Sequence, residues 1–201
     1  MSYFTETRQA RAEQLVAVYP ERRSALIPLC HLVQEQDGYL SEAGMLAVAE
    51  FCGVSAAEVR GTASFYDMLH TEPVGKYLVG VCTNIACLLA GGLELLEHAE
   101  GSLGVRAGAT TTDGLFTLEE TECLADCDIA PCVQVNHRFV RTTTPEQFDG
   151  LVAELRDGGR SSEIPMHGTL IRTTRDVGLA ADPSQVAKER AQHRTATENA
   201  S

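Results

Sequence analysis

The sequence predicts an α+β protein made of a small N-terminal helical bundle, an α/β layer and an extended C-terminal tail. Apolar residues recur at three- and four-residue spacing as far as about residue 72. Beyond Glu72-Pro73, short β-branched runs take over, and they alternate with amphipathic stretches up to residue 157. From Gly158 the apolar periodicity fades. The expected divisions are therefore 1–72, 73–157 and 158–201.

In the first division the apolar stripes run through Leu15, Val16 and Tyr19, then Leu26, Leu29, Cys30 and Val33, then Met45, Leu46, Ala49 and Phe51. Pro20 separates the first two, Asp37-Gly38 ends the second, Ser41 caps the third and Gly53 stops it. Ser55 with Glu58 forms a capping box that opens a fourth helix through Val59, Phe65 and Met68. At that spacing Phe65 and Tyr66 are expected in the core, with docking of a partner as the alternative.

In the second division, residues 76–82 read as a buried strand and residues 86–100 as one helix. Residues 114–118, 133–135 and 138–140 read as further strands, the last two joined into a hairpin at Asn136-His137. Thr144-Pro145 followed by Gln147 starts a helix that runs to about residue 157.

Sixteen basic against twenty-eight acidic residues give a net charge of -12. Such a surface repels a phosphate backbone, which argues against nucleic acid as a partner. The N-terminal residues lack an apolar signal core, and the longest apolar stretches fall short of a membrane span, so neither export nor membrane insertion is expected. No G-x-G-x-x-G and no P-loop sequence is present, which leaves no recognisable site for NADH, flavin or ATP. Seven cysteines, an odd number without an export signal, point to metal or redox chemistry instead of a disulfide framework.

Four of those cysteines form two pairs, Cys82 and Cys87 as C-x4-C, and Cys123 and Cys127 as C-x3-C. Four thiolates suit either tetrahedral zinc or two ferric ions bridged by sulfide. Structural zinc favours shorter C-x2-C knuckles, so a [2Fe-2S] cluster leads, with zinc and an incidental set of buried cysteines as alternatives. A zinc-stabilised adaptor without redox function is the corresponding alternative of a different class. Cys30 and Cys52 lie on apolar stripes and read as core residues. Cys132, five residues after Cys127, reads as core first and as a spare ligand second.

The strings VCTNIACLLAGG and TTTDGLFTLEETECLADCDIAPCVQVN, preceded by GTASFYDML, resemble the small [2Fe-2S] subunits of the NADH-oxidising module of respiratory NADH:quinone oxidoreductase, complex I. The resemblance covers roughly residues 10–157 and implies a thioredoxin-like ferredoxin domain, with Cys82, Cys87, Cys123 and Cys127 as cluster ligands. It implies a partner flavoprotein holding FMN, the NADH site and a [4Fe-4S] cluster, with this chain accepting an electron from the flavin. It further implies other peripheral-arm partners and a place on the cytoplasmic side of the membrane. The equivalent subunit of a soluble NAD-linked hydrogenase or formate dehydrogenase is the alternative within that superfamily.

Three positions depart from the family pattern: Ala125 stands where glycine is usual, Asp126 where a small neutral residue is usual, and Cys132 where methionine is more frequent. Six carboxylates (Asp113, Glu119, Glu120, Glu122, Asp126 and Asp128) with no basic residue among them surround the second pair. Ala125, which costs backbone freedom beside the cluster, and Asp126 and Asp128, whose negative charge disfavours reduction of an anionic cluster, are accordingly expected to tune the reduction potential, with a merely solvated acidic face as the alternative. The tail is expected to make few contacts with the cluster domain, to carry a short helix around residues 184–193, and to be ordered against another subunit.

Overall fold

The computed structural model describes residues 3–168, which form two compact units divided between Pro73 and Val74. The first is helical: α1 (Glu6–Val18), a 3₁₀ turn (Arg22–Ala25), α2 (Leu26–Asp37), α3 (Glu42–Cys52) and α4 (Ala56–Ala63). Local chemistry sets the helix starts. The Ser41 hydroxyl accepts from the Gly44 amide at 3.1 Å, while Ser55 and Glu58 exchange both bonds of the capping box. The core collects Leu29, Cys30 and Val33 from α2, Met45, Val48 and Cys52 from α3, and Val59 and Ala63 from α4.

The fourth helix is shorter than its apolar spacing suggests. It ends at Ala63, so Phe65 and Met68 lie beyond it, and Phe65 is 79% exposed instead of buried. Tyr66 and Met68 are exposed as well. The cause is a polar anchor: buried Gln34 on α2 donates to the Met68 carbonyl at 2.7 Å and accepts from the His70 amide at 2.8 Å. That clamp holds the end of the turn closed by the Leu69 amide on the Tyr66 carbonyl, and Leu69 goes inward in place of its aromatic neighbours.

The second unit is a thioredoxin-like layer built on four strands, β1 (Tyr77–Cys82), β2 (Phe116–Thr121), β3 (Val133–Val135) and β4 (Arg138–Val140), in the order β2-β1-β3-β4. β1 pairs parallel with β2, Tyr77 opposite Phe116 and Cys82 opposite Thr121, and antiparallel with β3, Val81 opposite Val133. Between β1 and β2 the chain forms α5 (Ile85–Leu89) and α6 (Gly92–Leu103), and after β4 it forms α7 (Pro145–Arg156). Tyr77, Val79, Val81, Phe116 and Leu118 face Leu95, Ala99 and Leu103 of α6 and Phe148, Leu151 and Leu155 of α7. Burying such a set at roughly 25 cal/mol per Å2 is what holds the layer together.

Three details depart from the sequence reading. The single helix expected over 86–100 is two, broken at Gly91, whose φ of +91° is open to glycine and costly for other residues. The second strand begins at Phe116 and continues to Thr121, past the expected 118. Residues 158–168 do not run as an unattached tail. Ile164 is 3% exposed within the sheet's core, the His167 amide donates to the Lys76 carbonyl at 3.3 Å, and the buried Asn136 side chain donates to the Pro165 carbonyl at 2.7 Å. Asn136 also accepts from the Leu78 amide at 2.7 Å, so one hairpin residue, with its own φ at +49°, ties β1, the hairpin and this segment together. The helix expected at 184–193 lies outside the described residues.

Candidate metal centre

β1 and β2 run parallel and end side by side, so whatever follows each strand emerges at the same edge of the sheet. Cys82 closes β1, and Cys123 lies two residues past the end of β2. The Thr83 hydroxyl donates to the Glu120 carboxylate at 2.7 Å and the Thr83 amide to the Thr121 carbonyl at 3.2 Å, holding the two exits together. Strand parity does the rest. Val79 and Val81 point into the core beneath α6 and α7, and Cys82 therefore points to the opposite face.

Asn84 caps α5 through the Ile85 amide at 2.9 Å, which turns Cys87 back toward Cys82. α6 then starts so close to this turn that a Cβ on Gly92 would stand 2.7 Å from the Cys82 carbonyl oxygen and 2.8 Å from that of Cys87. Only glycine leaves room there. On the other arm, Cys123 and Cys127 bracket Ala125, whose φ of +61° lies in the left-handed region, and Cys127 begins a 3₁₀ turn to Ile129. Cys82 and Cys87 are buried, whereas Cys123 and Cys127 are exposed.

The thiols of the two arms interact. Partial desolvation raises the Cys127 thiol above its ordinary range, and Cys123, Cys87 and Cys82 add to the rise in that order. Burial raises Cys87, which lies within hydrogen-bonding reach of both Cys82 and Cys132. Among the described residues no three His, Cys, Asp or Glu side chains close on one point as a single-ion site does. Cys87 meets Cys82 and Cys132, while Cys127 meets Cys123 first and then Cys87 and Cys82. Soft thiol donors in two pairs suit a pair of bridged irons, each taking two sulfurs; binding would displace the thiol protons.

Cys132 is placed by the sheet, one step beyond the Val81–Val133 pair, where the Cys82 amide donates to its carbonyl at 3.0 Å. It is 3% exposed, yet it packs with Cys82 and Cys87 apart from the main core, and its Sγ donates to the Asp126 carbonyl at 2.9 Å. Asp126 is partly buried, and desolvation followed by the neighbouring Asp128 raises its carboxyl above the ordinary range. Cys30 and Cys52 sit in the helical core, where Cys52 adds to the rise that burial gives the Cys30 thiol. One feature escaped the sequence reading: Ile85, Leu88, Leu89 and Leu93 form an exposed apolar rim around the Cys87 turn, more apolar residues in ACLLAGGL than one buried helix face can take.

Residues 12–156 match the family of thioredoxin-like [2Fe-2S] ferredoxins. The chain belongs to that family. Its cofactor is thereby a [2Fe-2S] cluster. The chain is 48% identical over 145 residues to an NADH-quinone oxidoreductase subunit of Mycobacterium tuberculosis, covering 72% of this chain and 58% of that one. It therefore spans a little over half of the mycobacterial relative. The NADH-quinone oxidoreductase subunit 2 of Thermus thermophilus is 38% identical over 168 residues, covering 82% of this chain and 93% of its own length. A crystal structure of an NAD+-reducing [NiFe]-hydrogenase shares the fold, with a TM-score of 0.60 and 21% identity over 81% of this chain and 26% of the hydrogenase chain. Among the described residues, no helix is long and apolar enough to cross a membrane.

Proposed function

We propose that the chain is the [2Fe-2S] electron-transfer subunit of an NADH:quinone oxidoreductase, with Cys82, Cys87, Cys123 and Cys127 as the cluster ligands. The observation that carries the reading is the convergence of two cysteine pairs from the adjacent ends of β1 and β2, close enough for the Cys127 thiol to sense the other three. The names of the mycobacterial and Thermus relatives support the complex. When bound, the cluster supplies a one-electron carrier and no hydride chemistry.

The protein's own residues do the remaining work. The parallel strands fix the separation of the two arms, Asn84 and Gly92 shape the first arm, and Ala125 with the 3₁₀ turn shapes the second. Asp126 and Asp128 put negative charge beside Cys127 and so hold the reduction potential down. Electrons arrive from the FMN of a partner flavoprotein that also carries the NADH site and a [4Fe-4S] cluster. The assembly stands as a peripheral arm on the cytoplasmic side of the membrane.

Anaerobic purification followed by a visible spectrum and iron and acid-labile sulfide counts tests the assignment. A red-brown protein with two of each per chain is expected, and a colourless zinc protein would end it. Freed of flavoprotein, the chain should show no NADH–ferricyanide turnover. Asp126→Asn should raise the cluster's midpoint potential in an EPR redox titration.

A further inference from the structure

We infer that Cys132 is a reserve ligand for one half of the cluster, the half held by Cys82 and Cys87. The inference rests on reading Cys82, Cys87, Cys123 and Cys127 as the ligands, and it goes beyond that reading by assigning a fifth thiol and a side. Cys132 stands five residues from Cys127 and far along the chain from Cys82, so spacing alone associates it with the wrong pair. The sheet reverses that association.

β3 lies against β1, and the Cys82 amide bonded to the Cys132 carbonyl at 3.0 Å brings the two residues into one rung of the ladder. Residues opposed in an antiparallel rung point to the same face, so the Cys132 and Cys82 side chains share the face away from the main core. Cys87 completes the group. Cys82, Cys87 and Cys132 are each 3% exposed or less and form a cluster of their own, packed with Leu124 and Ala130.

The Cys132 Sγ donates to the Asp126 carbonyl at 2.9 Å, an uncharged contact that a side-chain rotation gives up. On becoming a ligand, Cys132 loses its S–H proton to solvent and forms one Fe–S bond in place of the bond lost with the missing cysteine. No electron is exchanged.

The experiment reconstitutes full-length Cys87→Ala, Cys87→Ala/Cys132→Ala, Cys123→Ala and Cys132→Ala chains anaerobically with iron and sulfide beside the wild type. Iron and sulfide counts, visible spectra and EPR are the readouts. Cys87→Ala should keep a [2Fe-2S] cluster with shifted absorption and g-values, and the double variant should lose it. Cys123→Ala should be colourless, and Cys132→Ala should match the wild type.

A colourless Cys87→Ala chain with wild-type far-UV circular dichroism overturns the inference. So does a cluster in Cys123→Ala that depends on Cys132, or a cluster that survives in the Cys87→Ala/Cys132→Ala chain. Should Cys87→Ala fail to fold, Cys82→Ala with and without Cys132→Ala decides the matter in the same way, since the reserve serves that whole side. A wild-type chain that takes up no iron would instead end the four-ligand reading itself.

Discussion

The helical unit and the sheet unit both bury cysteines, and they put them to different use. Cys30 and Cys52 sit in the helical core among Leu29, Val33, Met45 and Val48; burial pushes the Cys30 thiol up to about 12. Cys82 and Cys87 are just as buried, but they stand where a strand ends and a short helix turns the chain back, so that one thiol meets the next. Burial alone makes a cysteine a small hydrophobe. Convergence at the ends of adjacent elements makes it a candidate donor.

The sharpest way to break this contrast is to remove one cysteine from each setting. Cys127→Ala should abolish iron binding altogether, whereas Cys30→Ala and Cys52→Ala should keep the full iron content and lose only about 1 kcal/mol of unfolding free energy for a small cavity. Iron analysis and denaturant titration of the three variants check it. Loss of iron from Cys52→Ala would mean that the helical unit contributes to the centre.

Glycines extend the comparison. Gly92→Ala drives a methyl against two backbone carbonyls beside Cys82 and Cys87, where no flexible side chain can yield; a loss of about 2–4 kcal/mol with reduced iron occupancy is expected. Gly61→Ala on α4 meets nothing within 4 Å, and helix propensity should raise stability by about 0.5–1 kcal/mol. Thermal unfolding of the two variants gives opposite signs.

Ala125 tests strain in the sheet unit. Held at a φ of +61°, it should be relieved by Ala125→Gly, raising stability by about 1 kcal/mol in denaturant titration and leaving the iron count unchanged.

Much of the helical unit was legible because helix starts are local: Ser41, Ser55 with Glu58, and in the other unit Thr144 with Gln147, cap where their spacing says they should. The misplaced features depend on contacts distant in sequence. Gln34 decides where Phe65 points, Asn136 decides that residues 158–168 return to the sheet, and β3 pairing decides which thiols Cys132 meets. The break at Gly91-Gly92 was hidden by the leucines on either side, which keep a helical period through it. The two cysteine pairs were legible as candidate donors from residue type, while their placement at one edge of the sheet depended on strand pairing.

The caps give effects of about the same size. Ser55→Ala and Thr144→Ala should each cost about 1 kcal/mol, one in each unit, measured by chemical denaturation. Both depend on pH. Hydrogen bonds from the Ser55 backbone and hydroxyl, then Arg23, hold the Glu58 carboxyl below its ordinary value. A lowered folded pKa means stability that is present above the unfolded value near ~4.3 and is lost as pH falls through the folded value. The penalty of Ser55→Ala should therefore shrink in acid, and that of Thr144→Ala should do so too, because the Glu146 amide and then the Thr144 hydroxyl help to hold the Glu146 carboxyl below its ordinary value.

The parallel pairing of β1 with β2 also sets an order of events in time. A parallel pair cannot close through a tight turn, so the stretch from Thr83 to Leu115 must be gathered in before Tyr77 finds Phe116. Such distant pairings form late in folding compared with helices. Until they form, Cys82 and Cys123 belong to separate lengths of chain, and an iron ion meeting either would find only part of the proposed ligand set. Stable capture thus waits on a finished sheet, and loading becomes a maturation step whose rate follows folding of residues 74–168.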